Sequence, residues 1–208
     1  MKNNFWIAIL TFLLLVVNSC NSNKSIPVYM KFFNEKEKQE LTIITTLWNN
    51  LLTNSFNTQD TNLAFQRYLY YVDESDGAKM LIRRIYDRFE RNDLNRTLDS
   101  IKELDIFKKI WKANKMRYNG NEKDSITILM GFNQDGVYYR YLKKLYDKNQ
   151  KKYFYWDALE TAGGGIMPAN LEGGFQKTAY NNLSDENFKI IITIHYITLL
   201  LNYYDRDS

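Results

Sequence analysis

The chain carries one cysteine and one histidine in 208 residues. A single cysteine rules out an intrachain disulfide and a cysteine-rich zinc site, so any metal would need oxygen ligands. A single histidine means that a Ser-His-Asp relay would have to run through His195 alone. That residue lies among Ile191, Ile192 and Leu199, the setting of a satisfied core histidine rather than of a catalyst. A strong excess of charge is also missing. The 28 basic and 24 acidic residues are interleaved and leave a net charge of +4, a balance that argues against a nucleic-acid partner. No internal repeat of fixed period is visible, and the uncharged apolar run Phe5–Val17 stops well short of the roughly 20 residues that a bilayer span needs.

What is present is enough apolar material for a core. With 45% hydrophobic and 15% aromatic residues the chain is too apolar to be a disordered tail. Its apolar start, "FWIAILTFLLLVVNSC", is preceded by Lys2 and ends at the lone Cys20 with small Ser19 directly before it, the layout of a signal-peptide core. At "VNSC", Val17 to Cys20, the stretch resembles the lipobox of bacterial lipoproteins, with Asn18 a less usual middle residue. The resemblance covers residues 1–20 only and implies that residues 1–19 are removed and Cys20 becomes a diacylglyceryl cysteine whose new amino group is acylated. The thiol would then be consumed, leaving no thiol nucleophile. Each buried methylene contributes about 0.8 kcal/mol, so two or three acyl chains hold a protein to a membrane without any transmembrane helix. The expected placement is therefore lipid-anchored in a bacterial cell envelope, on 208 − 19 = 189 residues with a net charge of +3 once Lys2 is gone.

Beyond the anchor, residues 20–34 read as a polar tether containing Pro27, and residues 35–208 as one helical domain. Leu41, Ile44, Leu47, Trp48 and Leu51 fall at three- and four-residue spacings after the acidic "EKEKQE", which predicts an amphipathic helix. "LAFQRYLYYV" predicts a second, ended by "DESDG". Helix resumes at Lys79, with Leu81, Ile82, Ile85 and Phe89 on one side. The run Thr97–Met116, with Leu98, Ile101, Leu104, Phe107 and Trp111, reads as one further helix. "SITILMGF", within residues 125–132, fits a short strand or a buried helical turn equally. "VYYRYLKKLYDKN" reads as helix. The last helix is expected to start at Ser184 as N-cap and to run through "FKIIITIHYITLLLNYY", apolar on nearly every side, as the buried central helix. The fold class expected is all-α or predominantly α.

The most unusual stretch is "WDALETAGGGIMPANLEGGF". Gly163, Gly164, Gly165, Gly173 and Gly174, flanked by Trp156 and Phe175 and interrupted by Pro168, suggest a shaped loop that could present aromatic faces to a sugar or to a partner protein. The alternative is a structural connection whose aromatics finish the core. At "ETAGGGIM" the chain resembles the lysozyme and lytic transglycosylase superfamily, in which a catalytic glutamate closes a helix. That implies Glu160 as general acid of a peptidoglycan-cleaving enzyme, with Thr161 where a serine is usual. Asp157, three residues earlier, would share its helix face.

Other patterns carry less. Lys177-Thr178 lacks the glycine spacing of a phosphate loop, and "DESDG" puts Ala78 and Arg84 where a calcium loop requires Gly and Glu. No cofactor is called for. Lys143, Lys144, Lys148, Lys151 and Lys152 stand next to four aromatics; in an envelope protein their counterparts would be anionic lipid headgroups or acidic glycans, and the plain alternative is a solvated helix end. Arg83, Arg84, Arg88 and Arg91 are neutralised locally by Asp87, Glu90 and Asp93. Two function classes remain. One is a non-enzymatic binding lipoprotein facing a protein partner, such as a secreted toxin or an envelope component. The other is a protein that binds or cleaves glycan.

Overall fold

The computed structural model describes residues 27–73, 87–117, 126–162 and 169–207. Asn34 sets the frame for its first long element. The Asn34 side chain accepts the Glu37 backbone N–H at 2.9 Å, and the Glu37 carboxylate accepts the Asn34 N–H at 3.0 Å, a reciprocal capping box. Upstream lies the short helix α1 (Val28–Phe32), and downstream the long helix α2 (Glu35–Ser55). Leu41, Ile44, Trp48 and Leu51 of α2 are buried at the spacing read from the sequence, with Leu47 partly so. Residues 28–34 are more than tether: Phe33 is buried and packs with Phe32 on the ring of Tyr141, so the domain starts before Glu35.

Asp60 accepts the backbone N–H groups of Asn62 and Leu63 and opens α3 (Thr61–Asp73), which buries Phe65, Tyr68 and Leu69. The helix expected from Lys79 lies largely outside the described residues; Phe89, at its end, is buried against Trp48. Glu90 caps α4 (Arg91–Lys102), whose Leu94, Leu98 and Ile101 face the core.

The expected helix Thr97–Met116 is overturned. The chain leaves helix after Lys102, makes one turn of helix α5 (Phe107–Ile110), and becomes strand β1 (Trp111–Arg117). The cause lies far away in sequence. Buried Glu40 accepts the Ile106 N–H at 2.7 Å, and Glu37 takes the Lys109 ammonium at 2.9 Å, so two acids of α2 seize the backbone and side chain of this turn. Strand β2 (Ile126–Phe132) pairs antiparallel with β1, Trp111 opposite Phe132 and Arg117 opposite Ile126, which decides "SITILMGF" in favour of strand.

Helices α6 (Val137–Lys148), α7 (Tyr155–Thr161), α8 (Ala169–Asn181) and α9 (Glu186–Asp207) follow, and the chain is a predominantly α single domain with one two-stranded sheet among the described residues. Every residue of α9 from Ile190 to Asn202 is buried, as expected of a central helix. At about 1.5–3 kcal/mol for each fully buried large aliphatic side chain, this helix contributes more hydrophobic burial than any other described element. Its N-cap is Asp185 rather than Ser184: the Asp185 carboxylate accepts the Asn187 backbone N–H at 2.9 Å.

Three polar residues of α9 find hydrogen-bond partners in the core. Thr198 accepts the Trp111 indole N–H at 2.7 Å. Asn202 accepts the Met130 N–H at 2.6 Å and donates to the Met130 carbonyl at 2.8 Å, behaving as a further strand at the edge of β2. His195 Nδ1 lies 3.0 Å from the Tyr155 hydroxyl, with the Phe175 and Tyr196 rings against it. It is a partnered core histidine. The Thr193 hydroxyl has no hydrogen-bond partner among the described residues.

Candidate functional site

Two neighbouring surfaces gather the polar and aromatic groups that the core does not use. The first lies between α6 and α7. Positions 139, 143 and 146 form one stripe of α6, and positions 156 and 160 form the facing stripe of α7. The half-buried Trp156 ring sits 5.0 Å from Tyr146 and 6.3 Å from Tyr139, with the Lys143 ammonium 4.9 Å from its centroid. The Trp156 indole N–H is covered and finds no acceptor among the described residues. One turn along α7, exposed Glu160 accepts a hydrogen bond from the Tyr139 hydroxyl. Burial, and then that bond to a carboxylate, push the Tyr139 phenol well above its usual range, so it stays a neutral donor.

The sequence-selected glycines divide. Gly163, Gly164 and Gly165 lie outside the described residues. Gly173 and Gly174 do not belong to a loop: they sit within helix α8, and Phe175 beside them is fully buried, its ring tilted against Tyr155 at 4.8 Å between centroids. The binding-loop expectation thus narrows on this side to Trp156 and its α6 neighbours, with Phe175 a core residue.

Glu160 is exposed, as is Asp157, and Glu160 is held as acceptor by Tyr139. A carboxyl that must keep a proton at neutral pH to act as general acid needs an apolar, water-poor surrounding. Neither carboxylate has that surrounding among the described residues.

The second surface is one that the sequence pattern did not single out. Its hub is Asp185. The carboxylate accepts from the Lys152 ammonium and the Tyr153 hydroxyl, both at 2.6 Å, and from the backbone and side-chain N–H groups of Asn187, both at 2.9 Å. Asn187 in turn accepts the Tyr141 hydroxyl at 3.0 Å. Burial works to raise the Asp185 pKa, but Lys152, Tyr153 and Asn187 outweigh it and hold the carboxyl below its usual range. Burial and Asp185 together push Tyr153 upward.

Beside this hub opens a cleft of about 560 Å³, within the size range of ligand sites. Its walls come from Pro27 and Val28, from Lys148, Asn149, Lys152 and Tyr153, and from Ser184 to Asn187. No single segment announces it. The signal in the sequence was Ser-Asp-Glu-Asn before an apolar run, which reads as helix capping and is that as well. No arrangement of three or more histidine, cysteine or acidic side chains fit to hold a metal occurs among the described residues.

Comparisons with protein-family models, with curated protein sequences and with solved structures give no match.

Proposed function

We propose that this chain is a bacterial envelope lipoprotein, anchored through acylated Cys20, whose domain binds a partner and is not an enzyme. The anchor reading rests on the "VNSC" match at the end of the apolar run. It accords with the described residues, where no helix is long and apolar enough to cross a membrane. The single observation that carries the binding reading is Trp156. A half-buried indole, braced by Tyr146 and Tyr139, with Lys143 over its face, has the make-up of an interface anchor. A protein partner, an envelope component or a secreted toxin, is the preferred occupant.

A second reading is a glycan ligand. The neighbouring Trp156 and Tyr146 rings, bordered by exposed Glu160 and Lys143, suit stacking on a sugar, and Glu160 then serves as a hydrogen-bond acceptor or, in the cleaving version, as acid. Affinity capture of the acylated protein from its own envelope separates these readings. Trp156→Ala should lower recovery of the bound protein by about tenfold, as truncation of an aromatic anchor does, while Glu160→Gln leaves it unchanged. Peptidoglycan fragments that bind in a Trp156-dependent way would favour the glycan. Fragment cleavage abolished by Glu160→Gln would overturn the non-enzymatic reading. Incorporation of labelled fatty acid, lost in Cys20→Ser, tests the anchor; no incorporation would overturn it.

A further inference from the structure

We infer that the pole of the domain bearing Pro27 and the Asp185 cleft is a docking surface for the anionic phospholipid headgroups of the bilayer that holds the anchor, an inference that rests on the acylation of Cys20. Covalent geometry supplies the first argument. Seven residue steps separate Cys20 from Pro27, so the tether spans at most about 25 Å even fully extended. A domain of this length is roughly 40 Å across. The tether is thus shorter than the domain is wide, and the surface around Pro27 is the part that stays nearest the headgroups.

The charge of that surface is the second argument. Lys152 is neutralised by Asp185, and Glu186 by Lys189 at 3.0 Å. Lys143 is paired with Asp147. What is left over is basic: Lys144 and Lys148, one turn apart on α6, and Lys151 just beyond it are exposed and form no ion pair among the described residues. Lysines near an anionic leaflet gain attraction that decays within a Debye length, about 8 Å at physiological salt. Lys148 shares the cleft wall with Pro27, and the tether is short enough to let this lysine cluster enter that layer.

The third argument is apolar. Met30, three residues past Pro27, is 41% exposed, and the next residue, Lys31, is exposed as well. A methionine beside lysines, next to a lipid attachment, matches the composition of interfacial segments, in which an apolar group enters the headgroup boundary while the cations stay at phosphate level. The cleft between Val28, Lys148 and Ser184 offers room for a headgroup, with Asn149 and Ser184 as hydrogen-bonding groups; its two carboxylates, Asp185 and Glu186, are the ones already paired with Lys152 and Lys189.

The test uses the full chain, acylated in its own host, purified in detergent and reconstituted into vesicles of phosphatidylcholine alone or with one part in three phosphatidylglycerol. The readout is the rate of acetylation of individual lysines by a water-soluble reagent, followed by mass spectrometry. Lys108 is the internal reference, because the α5 segment sits against the opposite, Gly136 end of α6. Lys148 and Lys151 should react about fivefold more slowly on the anionic vesicles, Lys108 should be unchanged, and high salt should remove the difference. In the double variant Lys148→Glu, Lys151→Glu, slowing at Lys144 should disappear. Equal rates on both vesicles, or equal slowing at Lys108, would overturn the docking surface while leaving the anchor intact. Failure of the protein to float with either vesicle would instead overturn the anchor, and the docking surface with it.

Discussion

Helix α6 has two unlike ends. At its N-terminal end the backbone of Gly136 lies against another segment so closely that a Cβ there would overlap the Lys109 carbonyl oxygen and lie 2.8 Å from the Asn133 carbonyl oxygen. Asn133 itself takes part: its N–H donates to the Ile110 carbonyl at 2.8 Å, and its side chain donates to the Lys108 carbonyl at 2.9 Å. At the C-terminal end, only twelve residues on, Lys148 borders an open cleft and the neighbouring groups are linked by charge and side-chain hydrogen bonds rather than by close packing. The comparison separates a closed end, where substitution breaks the fold, from an open end, where substitution changes what the surface meets.

The sharpest way to break the contrast is Gly136→Ala. The added methyl meets backbone, which cannot rotate away, so a loss of about 3 kcal/mol or more in urea unfolding is expected. An unaltered midpoint would show that the closed end yields. Asn202→Ala, which strips Met130 of both backbone partners just upstream of that end, should cost about 2–3 kcal/mol, with faster amide exchange at Met130 as its specific sign. At the open end Asp185→Asn should cost only about 1 kcal/mol, since the pair with Lys152 keeps partial contact with water.

Acidity sharpens the same point. The Asp185 pKa is depressed on folding, so its contribution is complete above the ordinary aspartate value near 4 and is lost as pH falls through the folded value. Unfolding midpoints measured from pH 6 down to pH 2 should therefore fall less steeply in Asp185→Asn than in the wild type. Tyr153, raised on folding, acts at the other limit: its contribution is whole below about pH 10 and declines as pH rises beyond that. Tyr153→Phe should flatten the alkaline limb. Lys148→Ala is the smallest case, within about 0.5 kcal/mol of wild type, because an exposed lysine without an ion-pair partner contributes little to the fold.

Periodicity reported the parts of the molecule whose causes are local. The spacing Leu41, Ile44, Trp48, Leu51 and the unbroken apolarity of α9 translate directly into buried faces, because a helix repeats on its own sequence. It misreported Leu104, Phe107 and Trp111, which keep helical spacing while the chain turns and then extends. The reason is Glu40, 66 residues away, taking the Ile106 N–H. The same limit applied to function. Trp156, as a loop flank, and Glu160, as a helix-closing acid, were each visible, yet their partners Tyr139, Lys143 and Tyr146 belong to another helix. Asp185 was passed over beside the expected cap Ser184; it is the cap itself, and the rest of its role depends on Lys152 and Tyr153, brought to it only by tertiary folding.

The amide of Asn202 has a consequence for the order of assembly. A hairpin whose outer edge is completed by a residue 72 positions later stays unfinished while the polypeptide is still emerging, N-terminus first. Until the final helix arrives, β2 presents Met130's free hydrogen-bonding groups to whatever is nearby, a strand of a neighbouring nascent copy included. A holding factor that recognises extended, unsatisfied backbone would find its target in that interval and lose it once Asn202 swings in.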